Sequence, residues 1–302
     1  MEELLMNNQD YRPTELRIFF IGLGVMGYPM AGHLQRKCRQ VTVFNRNSQK
    51  TLQWKEKFGG SVSFDIAEAQ SANVIITCVS DDDALNEIFL GHHNLLDRLN
   101  ANTIIIDHST VSATITRHIF NQALSRKIHF LDAPVSGGQS GAEKGILTSM
   151  IGGDEDIFDQ VKSLLSDYCK NTVYIGPTAS GQLAKMVNQI CIAGVIQGLA
   201  EGLSFAKNAG IDPFRVIKAI EQGAAASWQL QNRATTMVNN QFNFGFAVNL
   251  MKKDLMICMN EAAKNKSSLP ITGLISQFYT QLQQQNDGHL DTSSLIKLLL
   301  AD

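Results

Sequence analysis

The stretch Arg17–Leu34, RIFFIGLGVMGYPMAGHL, interrupts an apolar run with Gly22, Gly24 and Gly27 and then resumes at helical spacing. A strand ending at Ile21, a G-x-G-x-x-G turn and an amphipathic helix form the dinucleotide fingerprint in the context it requires. Gly22 makes the tight turn, Gly24 lets backbone approach a pyrophosphate, and Gly27 lets helix pack close to strand. The pyrophosphate then meets backbone N–H groups of Gly22, Leu23, Gly24, Val25, Met26 and Gly27 at the positive end of the helix.

Short β-branched runs alternate with helical patterns through the first half of the chain: RIFFIG, QVTVFNR, NVIITCVS, TIIIDHS, IHFLDAPV, LTSMIGG and NTVYIG. This alternation predicts an α/β Rossmann domain with a mostly parallel, doubly wound sheet. From about Ser180, after Gly176 and Pro177, strand signals give way to segments rich in Ala, Leu, Gln and Met. The expected division is an N-terminal extension over 1–15, an NADP-binding Rossmann domain over 16–179 and an all-α domain over 180–302, joined by a long helix from about Gln182 to Asn208. A chain of 302 residues, 44% hydrophobic, can bury two such cores.

An NAD site normally carries Asp or Glu after the second strand to accept from the adenosine ribose. Here that position offers Asn45, Arg46 and Asn47. A carboxylate repels a 2′-phosphate, whereas the Arg46 guanidinium binds one through charge-assisted hydrogen bonds, so NADP (NADPH) is expected as the preferred cofactor, with NAD also possible. The alternative reading of Arg46 is a solvated loop charge.

Ligands of such sheets lie beyond the carboxyl ends of the strands, which brings Val79, Ser80, Ser109 and Thr110 toward the cofactor. Ordinary turn and N-cap hydroxyls are the other reading of these three hydroxyl residues. In DAPVSGGQSGAEKG, Ser136, Gly137 and Gly138 set a hydroxyl beside exposed backbone N–H groups, a nest suited to a substrate carboxylate, or else a plain glycine turn. GQLAKMVNQ puts Lys185, Asn188 and Gln189 on one helix face. In its apolar surroundings Lys185 needs a partner or a function. A lysine ammonium stabilises the charge that hydride addition leaves on a carbonyl oxygen and then protonates it, and the neutral amine serves the reverse reaction.

Other chemistries find less support. The formal charge of −2 and pI near 6.4 provide no basic excess to collect nucleic acid or an anionic membrane, so a small neutral or acidic solute is the expected partner. Five scattered cysteines argue against zinc or a disulfide framework and read as buried thiols in a reducing cytoplasm. The first sixteen residues lack the basic and apolar regions of a signal peptide. Glu201 and Lys207 interrupt the most apolar helix, so no membrane span is expected. The seven histidines show no metal-ligand spacing, and VSGGQSG supplies no nucleophile elbow.

GLGVMGYPMAGHL, DAPVSGGQSGAEKGILTSMIGG, GQLAKMVNQ and NLMKKDL, in this order, make the chain from Arg17 onward resemble the β-hydroxyacid dehydrogenases. That family includes 3-hydroxyisobutyrate dehydrogenases and tartronate and succinic semialdehyde reductases. The resemblance implies Lys185 as catalytic acid and base, Ser136 and Gly137 as substrate ligands, Asn188 or Gln189 as orienting amides, and Lys253 beside the nicotinamide, with Asp254 as its structural neighbour. Some members carry two asparagines where this chain has Asn188 and Gln189. It also implies an active site in a cleft and a homodimer or homotetramer built through the helical halves. GAAASWQLQNR is expected to line the cleft: Trp228 is read as core packing ahead of a wall of the substrate pocket, while Arg233 is read equally as the ligand of an extra anionic group or as half of a structural salt bridge. A reductase of another small carbonyl or imine on the same scaffold, and a non-catalytic nucleotide-binding module, are the competing readings. The 6-phosphogluconate dehydrogenases share the plan but are much longer in the helical half.

Overall fold

The computed structural model describes residues 16–37 and 39–300, so the N-terminal extension over 1–15 and Cys38 lie outside the described residues. The chain divides into two compact units between Gln182 and Leu183.

The first unit alternates strand and helix in chain order: β1 (Arg17–Ile21), α1 (Gly27–Arg36), β2 (Gln40–Phe44), α2 (Ser48–Phe58), β3 (Ser61–Val62), β4 (Val74–Thr77), α3 (Asp82–Phe89), β5 (Ile104–Asp107), α4 (Ala113–Ser125) and β6 (His129–Asp132). There follow β7 (Val135–Ser136), α5 (Gly138–Lys144), β8 (Leu147–Gly152), α6 (Glu155–Leu165) and β9 (Cys169–Gly176). The sheet order is β3-β2-β1-β4-β5-β6-β8-β7, with β9 on β8. Pairing is parallel from β3 through β6 and again between β8 and β9, and antiparallel where β8 meets β6 and β7. The order reverses at β1, and the carboxyl end of that strand is where doubly wound sheets bind their ligands.

The central strands are apolar throughout because both faces are covered. Ile18, Phe20, Val74, Ile76, Ile104 and Ile106 pack into one core, and Phe19, Ile21, Ile75 and Ile105 into another on the opposite face. Trp54 of α2 is fully buried in the first of these and donates its indole N–H to the Tyr28 carbonyl at 3.1 Å.

A buried polar clasp ties the strand ends together. Asp132, at the end of β6, accepts from the N–H groups of Ala179 at 2.7 Å and Gln182 at 2.9 Å, which fixes where the next helix begins. The fully buried Gln182 side chain donates to the Ser109 carbonyl at 2.8 Å and accepts from the Val111 N–H at 3.2 Å. The turn after β5 is thus held from both sides.

The second unit is helical: α7 (Ser180–Asn208, whose first turn precedes the division), α8 (Pro213–Ile220), α9 (Trp228–Val238), α10 (Val248–Asn265) and α11 (Pro270–Gln284), followed by a 3₁₀ turn at Thr292–Leu298. Its core is formed by Ala193, Ile196, Ala200 and Leu203 of α7 with Met251 and Leu255 of α10 and Ile275, Tyr279 and Leu282 of α11.

Two expectations are corrected, on Trp228 and on the cysteines, and α7 bears on a third without overturning it. Trp228 is 48% exposed rather than packed in a core, because its ring lies against the Arg233 guanidinium, 4.9 Å away. Cysteines are not uniformly buried: Cys169 and Cys258 are, Cys78 is partly so, and Cys191 is exposed. The 29-residue α7 is, by length and composition alone, long and apolar enough to cross a membrane, since Lys185 is the one charge between Ser180 and Ala200. Core helices pass the same test, and 39% of its apolar window is buried in the protein.

A Cβ on Gly22, whose φ is +102°, would lie 2.3 Å from the Cys78 carbonyl oxygen, whereas a Cβ on Gly24 meets nothing within 4 Å. Gly22→Ala is therefore expected to cost more than about 1 kcal/mol and Gly24→Ala much less, measured as urea unfolding midpoints. Gln182→Leu orphans a buried carbonyl and a buried N–H, at about 1–3 kcal/mol each, and should lower the same midpoint clearly.

Candidate active site

Each unit carries its own set of candidate residues. In the first, the turn Gly22–Gly27 leads from β1 into α1. Gly22 donates its N–H to the Phe44 carbonyl at 3.0 Å, and Leu23 donates its N–H to Asn45 Oδ1 at 2.9 Å. Asn45 is thereby a brace for the glycine turn, its Nδ2 donating to the Asn47 carbonyl at 3.1 Å. Asn47 accepts from the Gln49 N–H at 3.0 Å and caps α2. The side chain that this strand end leaves for an anion is Arg46, which is exposed.

The start of α1 suits an anion. Met26 at its N-cap makes no side-chain capping hydrogen bond, and its first turn holds no acidic residue. Backbone N–H groups and the positive end of the helix dipole are what a phosphate requires. A Cβ on Gly27 would fall 2.0 Å from the Gly22 carbonyl oxygen, so only glycine permits this approach of helix to turn. Gly24 faces open space, and beside it a cavity of about 440 Å³ runs along α1 from Leu23 and Gly24 to Arg36 and Phe58, with Lys50 and Glu143 on its walls but not Arg46, Val79, Ser80, Ser109 or Thr110. The glycine turn and the uncapped helix start, rather than this cavity, are what fit the pyrophosphate of a dinucleotide. Lys50 was not singled out from the sequence, although its place in the first turn of the helix that follows Arg46 was a usable signal.

Val79 and Ser109 are brought together: the Val79 N–H donates to Ser109 Oγ at 2.9 Å. Ser109 is buried and braces two turns. Ser80 is exposed and Thr110 partly so. Beneath them Asp107 Oδ1 accepts from Thr77 Oγ1 at 2.7 Å and from the Ser109 N–H at 3.1 Å. Burial pushes this carboxyl up to about 6, against the pull of those hydrogen bonds.

His108 is a core residue. Its Nδ1–H donates to the Ala133 carbonyl at 2.6 Å, which leaves Nε2 to accept from the Tyr168 hydroxyl at 2.7 Å. Burial pushes it down to about 4, so it is neutral at pH 7. Ser149 Oγ also donates to Ala133 O, at 3.0 Å. These bonds fix the segment leading to Ser136, which pairs with Thr148 in the sheet. Gly137 and Gly138 follow at φ +128° and +61°, conformations that glycine adopts freely, and both are exposed.

In the second unit, α7 and α10 bring together Lys185, Asn188, Gln189, Lys253 and Asp254. Lys185 is 8% exposed. Desolvation pushes its ammonium down to about 8; the Asp254 carboxylate opposes that shift, Lys253 adds to it, and Cys258 opposes it weakly. Asp254 is itself buried, and desolvation raises its pKa against the pull of Lys253, Lys185 and Gln189. Its Oδ2 accepts from Gln189 Nε2 at 2.7 Å and its Oδ1 lies 3.2 Å from Lys253 Nζ. Asn188 Nδ2 donates to Gln189 Oε1 at 2.8 Å. Asp254 was read from its motif only as a structural neighbour, yet it is the carboxylate that sets the charge around Lys185. Arg233 is half of a salt bridge: Nε meets Asp291 Oδ1 at 3.1 Å, and its guanidinium lies 4.9 Å from both the Trp228 and Phe244 rings.

Family models match both parts of the chain: residues 17–176 fit the NAD binding domain of 6-phosphogluconate dehydrogenase, and residues 179–299 the NAD-binding domain of NADP-dependent 3-hydroxyisobutyrate dehydrogenase. An uncharacterized oxidoreductase of Shewanella frigidimarina is 50% identical over 94% of this chain and 98% of its own length. The 2-hydroxy-3-oxopropionate reductase of Escherichia coli is 33% identical over 94% of this chain and 97% of its own. Among solved structures, 3-hydroxyisobutyrate dehydrogenase of Mycobacterium tuberculosis with L-serine is similar, with a TM-score of 0.85 and 28% identity over 95% of this chain and 99% of that one. The fingerprint at the sheet's switch point, the buried lysine and these matches over nearly the whole chain agree: the chain belongs to the β-hydroxyacid dehydrogenases, NAD(P)-dependent oxidoreductases that act on CH–OH donors.

Proposed function

We propose that the chain is a reversible, NADP-preferring dehydrogenase of the 3-hydroxyisobutyrate dehydrogenase type that interconverts a small aldehyde acid and its hydroxy acid, with Lys185 as general acid and base. The observation that carries this reading is a buried lysine whose ammonium is pushed down to about 8, into the range where it exchanges a proton at working pH. A nicotinamide cofactor, when bound, supplies or accepts the hydride. In reduction, Lys185 in its ammonium form stabilises the negative charge growing on the substrate oxygen and gives that oxygen a proton. In oxidation the neutral amine takes the hydroxyl proton. Ser136, Gly137 and Gly138 anchor the substrate carboxylate, Asn188 orients its oxygen, and Lys253 stands beside the nicotinamide.

The backbone of Gly22–Gly27 takes the pyrophosphate, while Val79, Ser80, Ser109 and Thr110 form the turns toward the nicotinamide half. Arg46, joined by Lys50, takes the 2′-phosphate, and Asn45 and Asn47 shape the strand end that presents them. The same reading includes a cytoplasmic homodimer or homotetramer.

Initial rates with NADPH and NADH against glyoxylate and succinic, tartronic and methylmalonic semialdehydes test the assignment. A marked NADPH preference with one good acid supports it; equal use of both cofactors removes Arg46 as selector, and no turnover with any acid moves the assignment to another carbonyl or imine. Replacing Arg46 by Asp and Lys50 by Ala should cost about 1.5–3 kcal/mol of NADPH affinity, about ten- to a hundredfold, with little change for NADH. Lys185→Ala should lower kcat by about 10²–10⁴-fold. In the wild-type protein kcat/KM for reduction should fall as pH rises through about 8, where the ammonium is lost, and that for oxidation should rise through the same range.

A further inference from the structure

Both ends of the Gln189 amide are engaged within the protein. Its Nε2 donates to Asp254 Oδ2 at 2.7 Å, with the Met251 sulfur 3.9 Å away, and its Oε1 accepts from Asn188 Nδ2 at 2.8 Å. The side chain is 2% exposed, as is that of Asp254. The two residues are 65 positions apart, so this bond fastens α7 to α10 at the level of Lys185. One N–H of this amide is committed to the buried Asp254 carboxylate and the other is directed at the Met251 thioether; turning the amide toward a substrate would leave the charged group short of a donor, which is costly.

We infer that Gln189 is a positioning residue: it bridges Asn188 to Asp254, keeps the Asp254 carboxylate ionised and in place, and through that charge sets the proton affinity of Lys185. The inference rests on the reading of Lys185 as the acid and base. The charged and titratable groups around the lysine within its unit are Asp254, Lys253 and Cys258, all from α10, and Asp254 is the one that Gln189 touches. Asp254 has the Lys253 ammonium 3.2 Å from its other oxygen, so among the described residues Gln189 is the one neutral side-chain donor to this carboxylate. Without it the carboxylate is less stabilised and protonates more readily, its pull on the ammonium weakens, and Lys185 releases its proton at lower pH.

The distinguishing variant is Gln189→Met, which keeps the length and removes both hydrogen bonds. The pH profile of kcat for aldehyde-acid reduction should move to lower pH, so that the rate at pH 8 falls about threefold while the rate at pH 6 is retained. KM for the aldehyde acid should stay within about twofold of wild type, since no substrate contact is lost. Gln189→Glu, which places a further acidic group beside Lys185, should leave the profile where it is or move it to higher pH.

An unshifted profile in Gln189→Met together with a KM raised tenfold or more would overturn the inference and make Gln189 a substrate ligand. Should Gln189→Met fail to fold, Gln189→Asn, one methylene shorter and out of reach of Asp254, carries the same expectation. Titration of Lys185 by NMR after ¹³C-methylation of the lysines, its signal assigned by loss in Lys185→Arg, separates two failures. If Lys185→Arg keeps full turnover, the acid and base reading fails. If instead the NMR titration of Lys185 is the same in wild type and Gln189→Met, the Gln189 inference fails by itself.

Discussion

The approach of α1 to the end of β1 is the constraint on which the first unit depends. A Cβ on Gly27 would stand 2.0 Å from the Gly22 carbonyl oxygen and 3.0 Å from the Phe20 ring. With glycine there, the helix sits low on the sheet, and Met30, Ala31 and Leu34 reach the same core as Ile18 and Phe20. The low seat also brings the first turn of α1, with no side-chain cap of its own, to the carboxyl end of the strand at the point where the sheet order reverses. One steric condition thus serves packing and anion recognition together, which is why Gly27 has no tolerated substitute while Gly24 answers only to whatever occupies the open space beside it.

Charge is handled differently in the second unit. Placing a lysine at 8% exposure is unfavourable unless an opposite charge shares the site, and placing that carboxylate there is unfavourable in turn. Asp254 meets the difficulty with two unlike neighbours, the ammonium of Lys253 at 3.2 Å and the amide of Gln189 at 2.7 Å. With two cations and one anion, the ammonium of Lys185 is held less firmly than a simple ion pair would hold it. A lysine in a closed salt bridge would keep its proton well above the working range; one buried without a carboxylate would lose it well below.

Much of the fold was legible because its strands report their environment directly. IFFI, VIIT and IIID are apolar runs of strand length, as both-face burial requires, and the glycine turn announces a backbone need that no other residue meets. Strands β3 and β7, two residues each, carry too little pattern to be seen. Trp228 was misjudged because hydrophobicity argues for burial, while the ring's actual partner is a guanidinium near the surface. Within the candidate site, residues on one helix turn were readable as a group, as with Lys185, Asn188 and Gln189. Asp254 and Gln182 were not, because their roles depend on partners 65 and more than 70 positions away, which no local spacing encodes.

Asn45 occupies the strand end where NAD enzymes carry the carboxylate that reads the ribose. Here its amide is spent on the Leu23 N–H and the Asn47 carbonyl, while Arg46 and Lys50 beside it are exposed. Shape and charge at this corner are therefore carried by different side chains. Over evolutionary time such a division lets the two cations be gained, lost or exchanged without disturbing the turn, whereas an aspartate at position 45 would keep the acceptor for Leu23 but lose the donor to the Asn47 carbonyl. On the reading proposed above, cofactor preference is then carried by two exposed cations while Asn45 keeps the turn in place.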